Sequence, residues 1–170
     1  CVYETAIEND ISGDLLIERI KATGHTLADR KIVKDDKEQI QTVLHSWINN
    51  KDVQVVISTG GTGLTGFDGT PEAIEPLFEK RIDGFGEIFR AISFEEIGTS
   101  SLNSRAMAGV KNGNYIFCLH GSSNACETGW DKIISFKIIH YFKLKHLLLH
   151  RSYYQGQVLR ALCNQKSLLM

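Results

Sequence analysis

The sequence predicts an α/β fold with a mainly parallel sheet in a chain of 170 residues. Two short apolar runs, VQVVIS at residues 53–58 and YIFCL at residues 115–119, are typical of strands buried on both faces. Segments of helical periodicity accompany them, and each run ends at a loop of small residues. We therefore expect Val53–Ser58 and Tyr115–Leu119 to be adjacent, parallel interior strands.

Helices and one further strand are predicted before the first buried run. Ser12 is suited to cap a helix that ends near Gly24, and residues 27–33 are typical of a short strand. Asp35 and Glu38 have the spacing of a capping box at the start of a second helix. The apolar residues of that helix recur at helical spacing: Ile40, Val43, Leu44, Trp47 and Ile48.

Further helices are predicted on both sides of the second run. Thr70 and Pro71 are typical of a helix start, and another helix is predicted over Glu87–Glu95 after two glycines that interrupt the first. A short helical piece is predicted near Asn103–Ala108. The last predicted helix begins after Ser123. This alternation of strands and helices is the basis for the α/β class.

Charge and hydropathy argue against nucleic-acid and membrane-spanning proteins. The chain has 19 basic and 20 acidic residues, so no overall positive field favours nucleic acid. No stretch reaches the ~18 uninterrupted apolar residues of a membrane span. The four cysteines form no C-x-x-C pair and no signal peptide is recognisable, so we expect reduced thiols in a cytoplasmic protein.

The composition changes sharply near residue 132. The last acidic residue is Asp131, and the segment after it holds 7 basic residues and no acid. We therefore predict a domain over residues 1–134 and a divergent basic segment over residues 135–170.

Two loops of small residues follow the predicted buried strands, at Thr59–Gly69 and His120–Ser123. Ligands of parallel α/β sheets bind outside the carboxyl ends of the strands. Glycines let backbone N–H groups approach a phosphate without obstruction by a Cβ atom. The loops are therefore the predicted phosphate-binding site.

Residues 61–66 also match the dinucleotide-binding pattern G-x-G-x-x-G. No following strand offers the acid that a dinucleotide site needs, and no P-loop lysine follows the glycines.

Two longer segments resemble a known family. They are STGGTGLTGFDGTPEAI at residues 58–74 and DGFGEIFRAISFEEIGTSSLNSRAMAGVKNG at residues 83–113. Together they resemble the family of molybdenum cofactor biosynthesis protein B and molybdopterin adenylyltransferase, to which a gephyrin domain is also similar. The resemblance runs from about residue 8 to 134 and implies a three-layer fold and a homo-oligomer, a trimer or hexamer. It also implies transfer of AMP from Mg-ATP to molybdopterin.

The resemblance assigns roles to particular residues. It implies that Asp35 and Asp68 are the catalytic acids and that both support Mg²⁺. Carboxylates and a metal ion would offset the repulsion between two polyanionic substrates. The predicted cofactor-binding residues are Gly60, Gly61, Thr62, Gly63, Ser104, Arg105, Gly121 and Ser122.

The chain departs from the family pattern in three places. Relatives have a strand before the segment at residues 8–14, whereas only CVYETAI precedes Glu8, so we expect the first strand to be reduced or missing. His120 stands where relatives carry proline, and the similarity stops near Ser135. These departures leave open a non-catalytic alternative, a pterin-binding or oligomerising scaffold protein of the same fold.

Overall fold

The computed structural model of the protein describes residues 9–138. The helices within this range are α1 (Ile11–Ala22), α2 (Lys37–Ile48), α3 (Thr70–Ile74), α4 (Asp83–Ile97) and α5 (Ser123–Gly129). The strands are β1 (Val55–Thr59), β2 (Lys80–Arg81), β3 (Met107–Lys111) and β4 (Asn114–Leu119). Short 3₁₀ turns cover Glu75–Leu77 and Gly98–Asn103, and a π-helical segment covers Trp130–Ile134.

The chain divides into two units after Ile133. The first contains the sheet and the helices named above. Of the second, the structure describes residues 134–138. No helix in the described range is long and apolar enough to cross a bilayer.

The sheet has the strand order β1-β4-β3-β2 within the described range. β1 and β4 pair in parallel, from Val55 opposite Tyr115 to Thr59 opposite Leu119, as the two apolar runs predicted. The other two pairings are antiparallel, so the sheet is mixed rather than mainly parallel. β1 is an edge strand of the sheet that residues 9–138 form, and Val56 is its one buried residue. The prediction that β1 is an interior strand is therefore wrong for the described residues.

A tight hairpin explains the antiparallel pairing of β3 with β4. Asn112 and Gly113, between β3 and β4, both have positive φ angles, of 51° and 80°. Asn-Gly is the preferred pair for a two-residue hairpin turn, because both residues tolerate the left-handed region. β3 therefore occupies a segment whose first residues were predicted to be helical, and the Asn-Gly pair is the sequence signal that identifies it.

Several predicted element boundaries are also corrected. Asp10 rather than Ser12 caps α1, accepting a hydrogen bond from the Gly13 amide. Residues 27–33 form no strand, because no other strand in the described range lies beside them to complete a ladder. α4 begins at Asp83, earlier than the predicted Glu87, and includes the two glycines that were expected to interrupt the preceding helix.

The three-layer α/β/α class is confirmed by packing on both faces of β4. Alternate residues of a strand point to opposite faces. Ile116 and Cys118 belong to a core that includes residues of α2 and α3. On the other face, the ring of Phe117 lies 5.2 Å from that of Phe85 in α4, and Leu119 packs against Gly129 of α5.

Close packing at Gly109 in β3 gives a test of this architecture. A Cβ atom there would lie 2.3 Å from the ring of Phe78, so Gly109→Ala should lower the free energy of unfolding by about 1–3 kcal/mol. Gly84→Ala is the matched control, because a Cβ atom added at Gly84 would meet no atom within 4 Å outside its own helix backbone. This change should raise the free energy of unfolding by roughly 0.4–1 kcal/mol. Urea denaturation measures both, and a Gly109→Ala protein as stable as the wild type would contradict the packing.

Candidate functional site

The parallel pairing of β1 with β4 brings the two predicted loops together. The amide of Gly60 donates to the carbonyl of Leu119 at 3.2 Å, and Thr59 Oγ1 donates to the carbonyl of His120 at 3.1 Å. A Cβ atom on Gly121 would lie 3.1 Å from the Cα atom of Gly60. Glycine at position 121 therefore permits a backbone contact that a larger residue would push apart, and Gly60 has a φ of +96° that favours glycine.

Asp35 lies against the first loop. A Cβ atom on Gly61 would lie 2.1 Å from Asp35 Oδ1, and Gly61 has a φ of +60° that favours glycine. Thr70 Oγ1 donates to the same carboxylate oxygen at 3.2 Å. The structure corrects the predicted capping role of Asp35, because Asp36 caps α2 by accepting from the Gln39 amide.

Asp68 belongs to the first loop, and its carboxylate folds back against Gly63. A Cβ atom on Gly63 would lie 2.5 Å from Asp68 Oδ2, and the Thr65 amide donates to that oxygen at 3.1 Å. The Thr65 hydroxyl, the amides of Gly63 and Thr65 and the charge of Arg105 outweigh desolvation and hold the pKa of Asp68 below its ordinary value. Asp68 is therefore ionised at neutral pH.

Thr62 lies between these two acids in the sequence and is almost completely buried, with 2% of its surface exposed. Its Oγ1 atom has no hydrogen-bond partner among the described residues. Buried hydroxyls are ordinarily paired, because an unpaired one loses its hydrogen bonds to water. The unpaired hydroxyl is consistent with a ligand-binding role for this turn.

Arg105 contacts the backbone of the first loop. Its guanidinium group donates to the carbonyl oxygens of Thr62, Gly63 and Asp68. It also forms an ion pair with Glu72 of α3. The sequence did not predict that Thr65, Thr70 and Glu72 bond Asp68, Asp35 and Arg105 respectively. These pairs come together only when the loop folds.

Ser104 lies in a different place from the loop glycines. It lines a cavity of about 510 Å³ between α3, α4 and β3, together with Arg105 and Glu72. Its hydroxyl accepts a long hydrogen bond from the Ala106 amide at 3.4 Å. Among the predicted residues, Arg105 therefore connects this cavity with the first loop.

The second loop supplies Gly121 and Ser122. Ser122 caps α5, because its hydroxyl accepts from the Ala125 amide at 3.2 Å. The Ser122 amide in turn donates to His120 Nδ1 at 3.2 Å. The His120 side chain, which replaces the proline of the family pattern, thus contributes a hydrogen bond that orders this turn.

The cysteines of the site region are buried and unoxidised. Cys118 and Cys126 are both free, and Thr59 Oγ1 lies 3.1 Å from Cys126 Sγ. Burial raises the pKa of Cys118 to about 12, so its thiol is protonated and unreactive at neutral pH.

Comparison with known proteins places the chain in a family. A family model described as a probable molybdopterin binding domain matches residues 3–140. Molybdenum cofactor biosynthesis protein B of Escherichia coli (strain K12) is 51% identical over 128 residues, which are 75% of this chain and 75% of that protein. Its counterpart in Bacillus anthracis is 46% identical over 128 residues, 75% of this chain and 76% of that protein.

Solved structures agree with the sequence relatives. A crystal structure of molybdenum cofactor biosynthesis protein B is 42% identical, with a TM-score of 0.79 over 84% of this chain and 89% of that one. The tungsten cofactor synthesizing protein of Pyrococcus furiosus is also 42% identical, with a TM-score of 0.71 over 79% of this chain and 84% of that one. With a family match over most of its length and relatives of this similarity, the chain belongs to the molybdopterin-binding domain family.

Proposed function

We propose that the protein acts in molybdenum cofactor biosynthesis, where it binds molybdopterin and transfers AMP to it from Mg-ATP. Its family and the names of its relatives support the first part of this proposal. The observation that carries the proposed AMP transfer is that two carboxylates lie against the glycine turn of the first loop, residues 60–63. Asp35 lies against Gly61, and Asp68 lies against Gly63. The substrate phosphates would lie between this turn and the turn at Gly121.

The two carboxylates suit Mg²⁺. This ion is commonly bound through one or two carboxylates together with waters and substrate phosphates. Asp35 and Asp68 provide that number, and no cluster of three or more potential ligands occurs in the described range. A bound Mg²⁺ would neutralise phosphate charge beside the glycine turn.

The reaction would join two anionic groups. A terminal phosphate oxygen of molybdopterin would bond to the α-phosphorus of ATP, and the bond from that phosphorus to the bridging oxygen would break to release pyrophosphate. The chain's contribution would be orientation and charge. The loop amides would orient the phosphates, and the two acids would organise the cation that offsets their repulsion.

The proposal includes a homo-oligomer, a trimer or hexamer, in the cytoplasm, where ATP is available. The end of α4 and the 3₁₀ turn after it expose three large apolar side chains, Phe94, Ile97 and Leu102, which are 51%, 51% and 75% exposed. Apolar side chains grouped on one segment are typical of surfaces that associate. We propose that this segment contacts another copy of the chain.

Replacing Asp68 by Asn should lower AMP transfer by about 10²–10³-fold, because the variant loses a charge that acts on the transition state. Binding of molybdopterin should weaken much less. Single-turnover transfer at saturating molybdopterin, beside direct binding measurements, separates the two effects. Equal turnover by Asp68→Asn and the wild type would refute the catalytic role. A wild type that binds but shows no turnover would favour the non-catalytic alternative.

Asp35→Asn should lower transfer in the same direction, and Asp36→Asn is its matched control. Asp36 caps α2, and Asn is about as good a cap as Asp, so turnover and melting temperature should both stay near those of the wild type. The comparison distinguishes loss of the site carboxylate from loss of a carboxylate charge at the neighbouring position. Equal losses of turnover in the two variants would contradict a specific role for Asp35.

Replacing Phe94 by Asp should dissociate the oligomer, because a carboxylate would be buried without a partner at the contact. Light scattering during size-exclusion chromatography measures the mass. Ile11→Asp is the control, because Ile11 is 71% exposed but lies on α1. An unchanged mass in Phe94→Asp, or dissociation by Ile11→Asp alone, would count against this surface.

A further inference from the structure

Arg105 makes an unusual number of contacts with one loop. Its Nε donates to the Thr62 carbonyl at 3.1 Å, and its Nη2 donates to the carbonyls of Gly63 and Asp68 at 2.6 and 2.9 Å. Nη1 forms the ion pair with Glu72. Four of the five N–H bonds of the guanidinium are thus engaged, and the side chain is 23% exposed. Little of the group remains to contact a ligand.

These carbonyl contacts determine the direction of three amides. In a trans peptide the N–H of the next residue points opposite to the carbonyl, and no cis peptide occurs in the described range. The amides of Gly63, Leu64 and Gly69 therefore point away from Arg105. Gly63 lies beside the Asp68 carboxylate, since an added Cβ atom there would be 2.5 Å from Oδ2. The amides of Leu64 and Gly69 have no hydrogen-bond partner in the range that the structure describes.

We propose that Arg105 is a positioning residue, which orients the first loop so that the Leu64 and Gly69 amides donate to a substrate phosphate and Gly63 lies against the Asp68 carboxylate. This differs from direct contact between Arg105 and the ligand, which is the role predicted from the sequence. The identity of the ligand, a phosphate of Mg-ATP or molybdopterin, rests on the proposed function. The orientation of the loop by Arg105 does not.

The shape of the side chain is essential to this role. A guanidinium group is a rigid planar fork that can serve three carbonyls at once, whereas a lysine ammonium is a compact charge on a flexible stem. Arg105→Lys should therefore retain the charge without fully ordering the loop. Arg105→Gln should lose both the charge and most of the carbonyl contacts.

Hydrogen exchange of individual amides tests the orientation directly. The amides of Thr65, Asp68 and Thr70 are bonded within the site, to Asp68 Oδ2, the Thr65 carbonyl and the Gly61 carbonyl. In Arg105→Gln they should exchange about tenfold faster, while amides of α2 stay within about twofold of the wild type. Arg105→Lys should be intermediate. Uniform acceleration across the chain, or none in the loop, would overturn the proposal.

Arg81→Gln is the matched control for loss of an arginine. Arg81 lines the same cavity and forms ion pairs with Glu75 and Asp83, but it makes no bond to the first loop. Its replacement should leave exchange at residues 60–70 unchanged. Faster exchange there in Arg81→Gln would show that general loss of charge, rather than the carbonyl contacts of Arg105, orders the loop.

Binding of Mg-ATP by calorimetry separates positioning from direct contact. Positioning predicts that affinity falls by roughly tenfold in Arg105→Gln, in parallel with faster loop exchange, and recovers only partly in Arg105→Lys. Direct contact predicts lost affinity with normal loop exchange, and that result would refute the proposal. If the wild type fails to bind Mg-ATP, the proposed adenylyl transfer fails, while the exchange measurement still decides the role of Arg105.

Discussion

The parallel ladder between β1 and β4 is the interaction on which the site depends. Five residue pairs, from Val55–Tyr115 to Thr59–Leu119, align the carboxyl ends of the two strands. Both strands end at the same edge of the sheet, so the loops that follow them are in contact from their first residues, through Gly60 and Gly121. A shift of one residue in this register would separate the glycines and reverse the side chains of one strand. The register is therefore as important to the site as the loop residues.

Side chains from distant parts of the chain then hold the first loop. Thr70 on α3 bonds Asp35, which precedes α2, and Arg105, which precedes β3, bonds three loop carbonyls. Because these contacts order the loop when the chain folds, the conformational entropy of the loop is lost during folding and not on ligand binding. The candidate site is thus prepared in the chain without a ligand, with Asp68 held ionised by hydrogen bonds and a neighbouring cation.

Much of the fold was predictable from local signals. The two apolar runs identified β1 and β4 and their parallel pairing, and helical periodicity identified α2. The Asn112–Gly113 turn was also present as a signal, but the helical interpretation of residues 103–108 hid β3. Residues 27–33 have a strand-like composition and still form no strand, because a strand needs a neighbour as well as a suitable sequence.

By itself, the sequence determined the family, the order of acids and glycines around two loops, and the class of ligand expected there. Only the tertiary structure decided between neighbours such as Asp35 and Asp36, of which one faces the loop and the other caps a helix. It also decided that Arg105 bonds carbonyls of the loop. The reason is physical: residue type sets which bonds a group can form, whereas its partners come from segments that meet only when the chain folds.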